Sequence, residues 1–133
     1  FVADLLITGL IEAEKNIRKA KVLDMGLTFK ENLGDTRNSR IAVTINQLKK
    51  FGIKVYGIDP YLTKGRIQKE FHIPAVPCLT GQYDAIILAT THQQFLDQEK
   101  KILEMILPKK VFIDVKNIFP NLRKKPGLIY KSL

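Results

Sequence analysis

The residues best suited to chemistry in this chain sit together in one polar loop, Thr28-Phe29-Lys30-Glu31-Asn32-Leu33-Gly34-Asp35-Thr36-Arg37-Asn38-Ser39. Lys30 can present an ammonium to a carboxylate or phosphate as a point charge. Arg37 can grip the same groups with two parallel hydrogen bonds. Asp35, two residues before Arg37, can orient that guanidinium or cap a following helix. The same charges also fit a plain solvated loop. Thr90-Thr91-His92 and Lys116-Asn117 each follow another apolar run. His92 can donate to a ligand, although a histidine at a helix start is more often a surface residue. His72 has no acidic or metal-binding neighbour. Cys78, the sole cysteine, has no adjacent His or Lys to activate it and reads as an incidental thiol rather than a nucleophile. The chain has no metal-spaced Cys/His set and no Ser-His-Asp arrangement.

These residues need elements to hold them. Val22 to Leu27 reads as a strand, Arg40 to Phe51 as a helix with Ile41, Ile45 and Leu48 in line, and Val55 to Pro60 as a second strand. Asp35 or Asn38 can cap that helix, and Gly52 suits its end. Strand, helix and strand in this order form a βαβ unit, which closes right-handed with parallel strands. The loop bearing Lys30 then lies at the carboxyl edge of the sheet, where open α/β sheets bind ligands. Tyr83 to Thr90 and Val111 to Val115 are continuous apolar runs, as strands buried on both faces require. Thr91 and Gln94 have capping-box spacing for a helix from His92 to Leu107. Residues 3 to 19 show helical periodicity, 63 to 71 a short helix, 73 to 81 a loop or brief edge strand, and 128 to 130 a closing strand. The fold class is α/β: a Rossmann-like, three-layer, doubly wound parallel sheet preceded by one amphipathic helix.

Composition narrows the function. The chain has 133 residues, 45% hydrophobic and 26% charged, as expected of one globular domain. No apolar run reaches the roughly 18 residues of a membrane span. One cysteine fits a reducing compartment. The net charge of +9 favours an anionic partner: phosphate, nucleotide, nucleic acid or an acidic protein face. Aromatic and basic residues do not interleave on one strand, so RNA readout on a sheet face is not indicated, while the net charge and the basic cluster Arg123-Lys124-Lys125 leave a nucleic-acid-binding module as a rival reading. The first residue is not Met and the apolar start reads as the inside of a helix, so a piece of a longer chain is expected.

The first βα loop is also the place for a dinucleotide fingerprint, and it lacks one. Gly26 stands alone where a G-x-G-x-x-G series needs three glycines. Asp59 occupies the place of a ribose-binding acid, but without those glycines a turn or cap role is the better reading.

Gly26-Leu27-Thr28-Phe29-Lys30-Glu31-Asn32, Asp35-Thr36-Arg37-Asn38-Ser39 and Asp59-Pro60-Tyr61 together resemble the C-terminal domain of the UDP-glucose/GDP-mannose dehydrogenase family. Tyr83 to His92 with Phe95, and Asp114-Val115-Lys116, look like its next motifs. The wording is most similar to the branch that oxidises UDP-N-acetylhexosamines to uronic acids for surface polysaccharides. The resemblance implies a cytoplasmic, NAD-dependent enzyme that oxidises the C6 alcohol of a UDP-N-acetylhexosamine or UDP-glucose in two hydride transfers. Its NAD-binding N-terminal domain and its cysteine nucleophile would lie upstream. Residues 1–20 would end a central connecting and dimerisation helix, and 21–133 would form the UDP-sugar-binding domain. Phe29 and Lys30 would then contact the UDP-sugar. Lys116 falls where many relatives place a UDP-binding Arg, and Arg37 would reach towards NAD. Asp35 and His92 are supporting candidates, and no catalytic or metal-binding residue is expected. The partners implied are a UDP-sugar, the N-terminal domain and a second subunit, with neither nucleic acid nor membrane. This chain alone would be inactive. The alternative is a free-standing nucleotide-binding or regulatory domain.

Overall fold

Apolar residues alternate between the two faces of each strand, so each strand feeds two cores. In the computed structural model, which describes residues 1–28, 30, 32–34, 40–106 and 110–133, Val22, Ala85, Ile87, Val111 and Ile113 face one core. Leu23, Met25, Ile86, Leu88 and Phe112 face the other. Such strands leave no polar face for water, and they need helices on both sides.

The strands are β1 (Lys21–Met25), β2 (Lys54–Ile58), β3 (Ala85–Leu88), β4 (Val111–Asp114) and β5 (Ile129–Ser132). They form one five-stranded sheet among the described residues, ordered β2-β1-β3-β4-β5. Every pairing is parallel. Helices α1 (Val2–Glu12) and α2 (Ile41–Lys50) pack on the first core through Leu6, Leu10, Ile45 and Leu48. Helix α3 (Lys64–Phe71) adds Ile67 and Phe71 to it. Helices α4 (Gln93–Leu96) and α5 (Glu99–Ile106) cover the opposite face with Phe95, Ile102 and Met105. The expected three-layer doubly wound sheet is present.

Two helices differ from expectation. The first ends at Glu12 rather than Lys19. Ala13 and Glu14 bond back to Gly9 and Ile11, Glu14 turns left-handed at φ 57°, and residues 17–19 form a 3-10 turn that delivers the chain into β1. The helix expected over 92–107 is two helices, broken between Leu96 and Glu99. Asp97 and Gln98 still bond back to Gln93 and Phe95, so the break changes direction without orphaning amides. The brief edge strand over 73–81 reduces to one parallel bridge between Ala75 and Gly57.

No helix among the described residues is long and apolar enough to cross a membrane.

Candidate functional site

The strand order reverses between β1 and β3: β1 leads outward to β2, and β3 leads the other way to β4 and β5. At such a reversal the loops leaving neighbouring strands diverge, and a crevice opens at their carboxyl ends. The loop after β1 and the segment after β3 meet there.

Their meeting depends on Gly26. Its φ of +97° is a left-handed conformation that side chains rarely adopt, and a Cβ built on it would lie 2.5 Å from Thr90 Cβ and 2.6 Å from Thr90 N. Glycine therefore permits both the turn and the close approach. Gly26 N–H donates to Ile58 O at 2.9 Å, and Thr90 Oγ1 donates to Thr28 O at 2.9 Å.

Beneath the crevice lies a buried polar cluster. Asp59 Oδ2 accepts from Leu27 N–H at 2.8 Å and Thr28 N–H at 3.2 Å, while Oδ1 accepts from Tyr61 N–H at 2.9 Å. His92 Nε2 lies 3.0 Å from Asp59 Oδ2 and 2.8 Å from Thr28 Oγ1. Its Nδ1 accepts from Asn32 N–H at 2.7 Å. Burial pushes the Asp59 carboxyl up, but bonds from His92, Leu27 and Tyr61 outweigh it and hold it below the usual carboxylate range. Asp59 is thus a turn anchor, as the missing glycines suggested.

His92 departs from the surface position expected of it, being 0% exposed. The rings of Tyr61 and Phe95 stand 4.8 and 5.7 Å from it. Nor does Thr91 cap the next helix. His92 occupies that position but its ring caps no amide of the helix, and Asn32 Oδ1 accepts from Gln93 N–H at 2.8 Å instead.

Lys30 follows this cluster and is exposed. Lys116 is exposed on the turn after β4. Both lie on the carboxyl edge, with β3 between their strands. Two strand spacings put the strand ends about 10 Å apart. Phe29, Asp35, Arg37 and the proposed cap Asn38 lie outside the described residues.

The turn carrying Lys116 has an anchor that sequence reasoning missed. Asp114 Oδ2 accepts from Phe119 N–H at 2.7 Å and from the Tyr130 hydroxyl at 2.6 Å. The Tyr130 hydroxyl also lies 3.0 Å from Asn117 Oδ1, and Asn117 is left-handed at φ 55°. Burial and then the Asp114 carboxylate push the Tyr130 phenol well above its usual value, so it stays a donor. The only sequence signal was an acid ending an apolar run, as Asp59 also does. Cys78 is exposed, on the segment beyond β2.

The edge therefore presents two lysines, each on a turn held by a buried carboxylate.

Residues 23–121 match the sequence profile of the UDP-glucose/GDP-mannose dehydrogenase family, UDP binding domain. A UDP-N-acetyl-D-glucosamine 6-dehydrogenase of Salmonella typhi is 35% identical over 122 residues, covering 90% of this chain and 29% of the relative. A UDP-N-acetyl-D-mannosamine dehydrogenase of Methanococcus vannielii is 32% identical over 137 residues, covering 100% of this chain and 31% of the relative. The solved structure of a UDP-D-ManNAc dehydrogenase from Pyrococcus horikoshii superposes with a TM-score of 0.74 at 25% identity, covering 99% of this chain and 29% of that one. The chain thus spans less than a third of the length of these relatives.

Proposed function

The chain belongs to the UDP-glucose/GDP-mannose dehydrogenase family, and from that premise we propose that it is the UDP-sugar-binding part of an NAD-dependent nucleotide-sugar 6-dehydrogenase. The substrate is a UDP-N-acetylhexosamine or UDP-glucose, and the product a uronate for surface polysaccharide synthesis in the cytoplasm. One observation carries this reading. Lys30 and Lys116 are exposed on the same carboxyl edge, on either side of β3. Together they neutralise the diphosphate, with Phe29 against the sugar nucleotide and Asp35 supporting the loop.

NAD supplies the hydride acceptor. The first βα loop, with Gly26 followed by Leu27 and Thr28, does not fit a glycine-rich pyrophosphate cradle, so the cofactor is held mainly by an N-terminal domain. From this chain Arg37 reaches towards it. Within residues 1–20, α1 (Val2–Glu12) ends the helix connecting the two domains, which also pairs two subunits, and the rest leads into β1. A lid of this kind orients the sugar and excludes water when it closes.

The test is a calorimetric titration of UDP, UDP-GlcNAc, UDP-GalNAc, UDP-ManNAc and UDP-glucose into this chain, with a parallel assay of each UDP-sugar in the presence of NAD followed for NADH. Binding without NADH formation is expected. Lys30→Ala should weaken binding about tenfold, the scale of one charge-assisted contact. Unchanged affinity in Lys30→Ala would remove Lys30 from the site, and turnover by this chain alone would refute the assignment as a part.

A further inference from the structure

We propose that His92 is the positioning residue of the Lys30 loop and acts through Nδ1 on the backbone amide of Asn32. This rests on the binding role given to Lys30 above. Lys30 lies midway between Thr28 and Asn32, and one imidazole holds both. Asn32 N–H donates to Nδ1 at 2.7 Å, so Nδ1 carries a lone pair and the ring hydrogen sits on Nε2. That hydrogen points at Asp59 Oδ2, 3.0 Å away, with Thr28 Oγ1 at 2.8 Å. The Thr28 hydroxyl is then free to donate onward to Lys30 O, at 3.2 Å. The loop is therefore gripped at the carbonyl of Lys30 and at the amide two residues later.

Asn32 completes the latch. It is left-handed at φ 61°, a conformation that costs a non-glycine residue energy unless its surroundings impose it. Here they do: its amide bonds to His92, and its Oδ1 accepts from Gln93 N–H at 2.8 Å. Tyr61 and Phe95 flank the imidazole and oppose its rotation. With 0% exposure, His92 cannot itself touch a ligand. A lysine has a long flexible stem, so its value to a diphosphate depends on how firmly its backbone is placed.

The competing view is that His92 only fills the core and holds Asp59. Two near-isosteres separate these views. In His92→Asn the amide oxygen falls near the place of Nδ1 and can still accept from Asn32. In His92→Gln the amide nitrogen falls near the place of Nε2 and can still donate to Asp59, but Asn32 loses its acceptor. Three measurements on this chain decide: amide hydrogen exchange at Asn32, UDP affinity by calorimetry, and the imidazole tautomer by nitrogen NMR.

With the latch, Asn32 exchange in His92→Gln speeds up about tenfold and UDP affinity falls by a similar factor, while His92→Asn stays within about threefold of the unmodified chain on both. The reverse ranking, or equal UDP affinity in the two variants, overturns it. A ring hydrogen found on Nδ1 overturns it even if neither variant folds. If the unmodified chain binds no UDP, the binding reading fails separately, and the Asn32 exchange ranking still decides the latch.

Discussion

Asp24 is the residue that fits its surroundings worst. It lies in β1, an interior strand, paired with Gly57 on one side and Ile87 on the other. It is 0% exposed, and neither carboxyl oxygen meets a hydrogen-bond partner among the described residues. Burial, and secondarily the Asp59 carboxylate, push its carboxyl well above the ordinary value. A carboxyl whose value rises on folding gives full stability below its unfolded value and loses it as pH rises towards the folded one. Asp59 runs the opposite way: its folded value is lowered, so its contribution is present above the unfolded value and fades in acid. Leucine nearly matches the shape of aspartate and needs no partner. Asp24→Leu should therefore stabilise the chain by about 1–3 kcal/mol at neutral pH, the cost of an unsatisfied buried polar group. Urea unfolding checks this at neutral pH and again near pH 4. The gain should be smaller near pH 4, where the wild-type carboxyl stays protonated in the fold and is already partly protonated in the unfolded chain. A destabilised Asp24→Leu would mean that the carboxyl has a partner.

At the scale of elements, the crevice is made by how closely two loops approach, and Gly26 sets that distance. Gly81 provides a control. Its φ of +107° is equally left-handed, but a Cβ there would meet the Tyr83 ring at an ordinary 3.4 Å, against 2.5 Å to Thr90 at Gly26. Gly81→Ala should cost about 1 kcal/mol of backbone strain. Gly26→Ala should cost at least about 3 kcal/mol, because Thr90 must also retreat with the strand behind it. It should also lengthen the Thr90–Thr28 bond and so disturb the Lys30 loop. Denaturant unfolding of both variants gives the comparison, and equal losses would show that the close approach is not built in. Strands were the legible part of this fold, because burial on both faces leaves uninterrupted apolar runs such as Ala85 to Leu88. The break between α4 and α5 was not, since polar residues such as Asp97 and Gln98 carry no periodic signal. Likewise α1 stops at Glu12, ahead of the left-handed turn at Glu14, while apolar spacing continues to Ile17. His92 was read as a surface residue because its partners lie 33 residues away at Asp59 and 60 at Asn32. The loop lysines were legible as cations, while their anchors Asp59 and Asp114 became visible only with the sheet assembled.

For the whole molecule the question is whether the net charge of +9 binds an anion or whether two of its members do. Many of the cations stand at the other end of the sheet. Lys49 and Lys50 end α2, and Lys21 and Lys54 open β1 and β2. Cations in the last turn of a helix offset its dipole, which accounts for the α2 pair without a ligand. A helix of ten residues separates them from the carboxyl edge by about 15 Å. The screening length at physiological salt is about 8 Å, so these charges contribute little to a ligand bound at Lys30. Removing two charges from either end leaves the same net charge and therefore separates number from placement. The double variant Lys30→Gln with Lys116→Gln should lose at least about tenfold in UDP affinity at about 0.1 M salt. Lys50→Gln with Lys54→Gln should stay within about twofold. Raising salt to about 1 M, where the screening length is about 3 Å, should weaken UDP binding by the unmodified chain and narrow the gap between the variants. Uridine, which has no phosphate, should bind with little salt dependence. Equal losses in the two double variants would mean that UDP responds to the overall charge, and the carboxyl edge would lose its claim as the site.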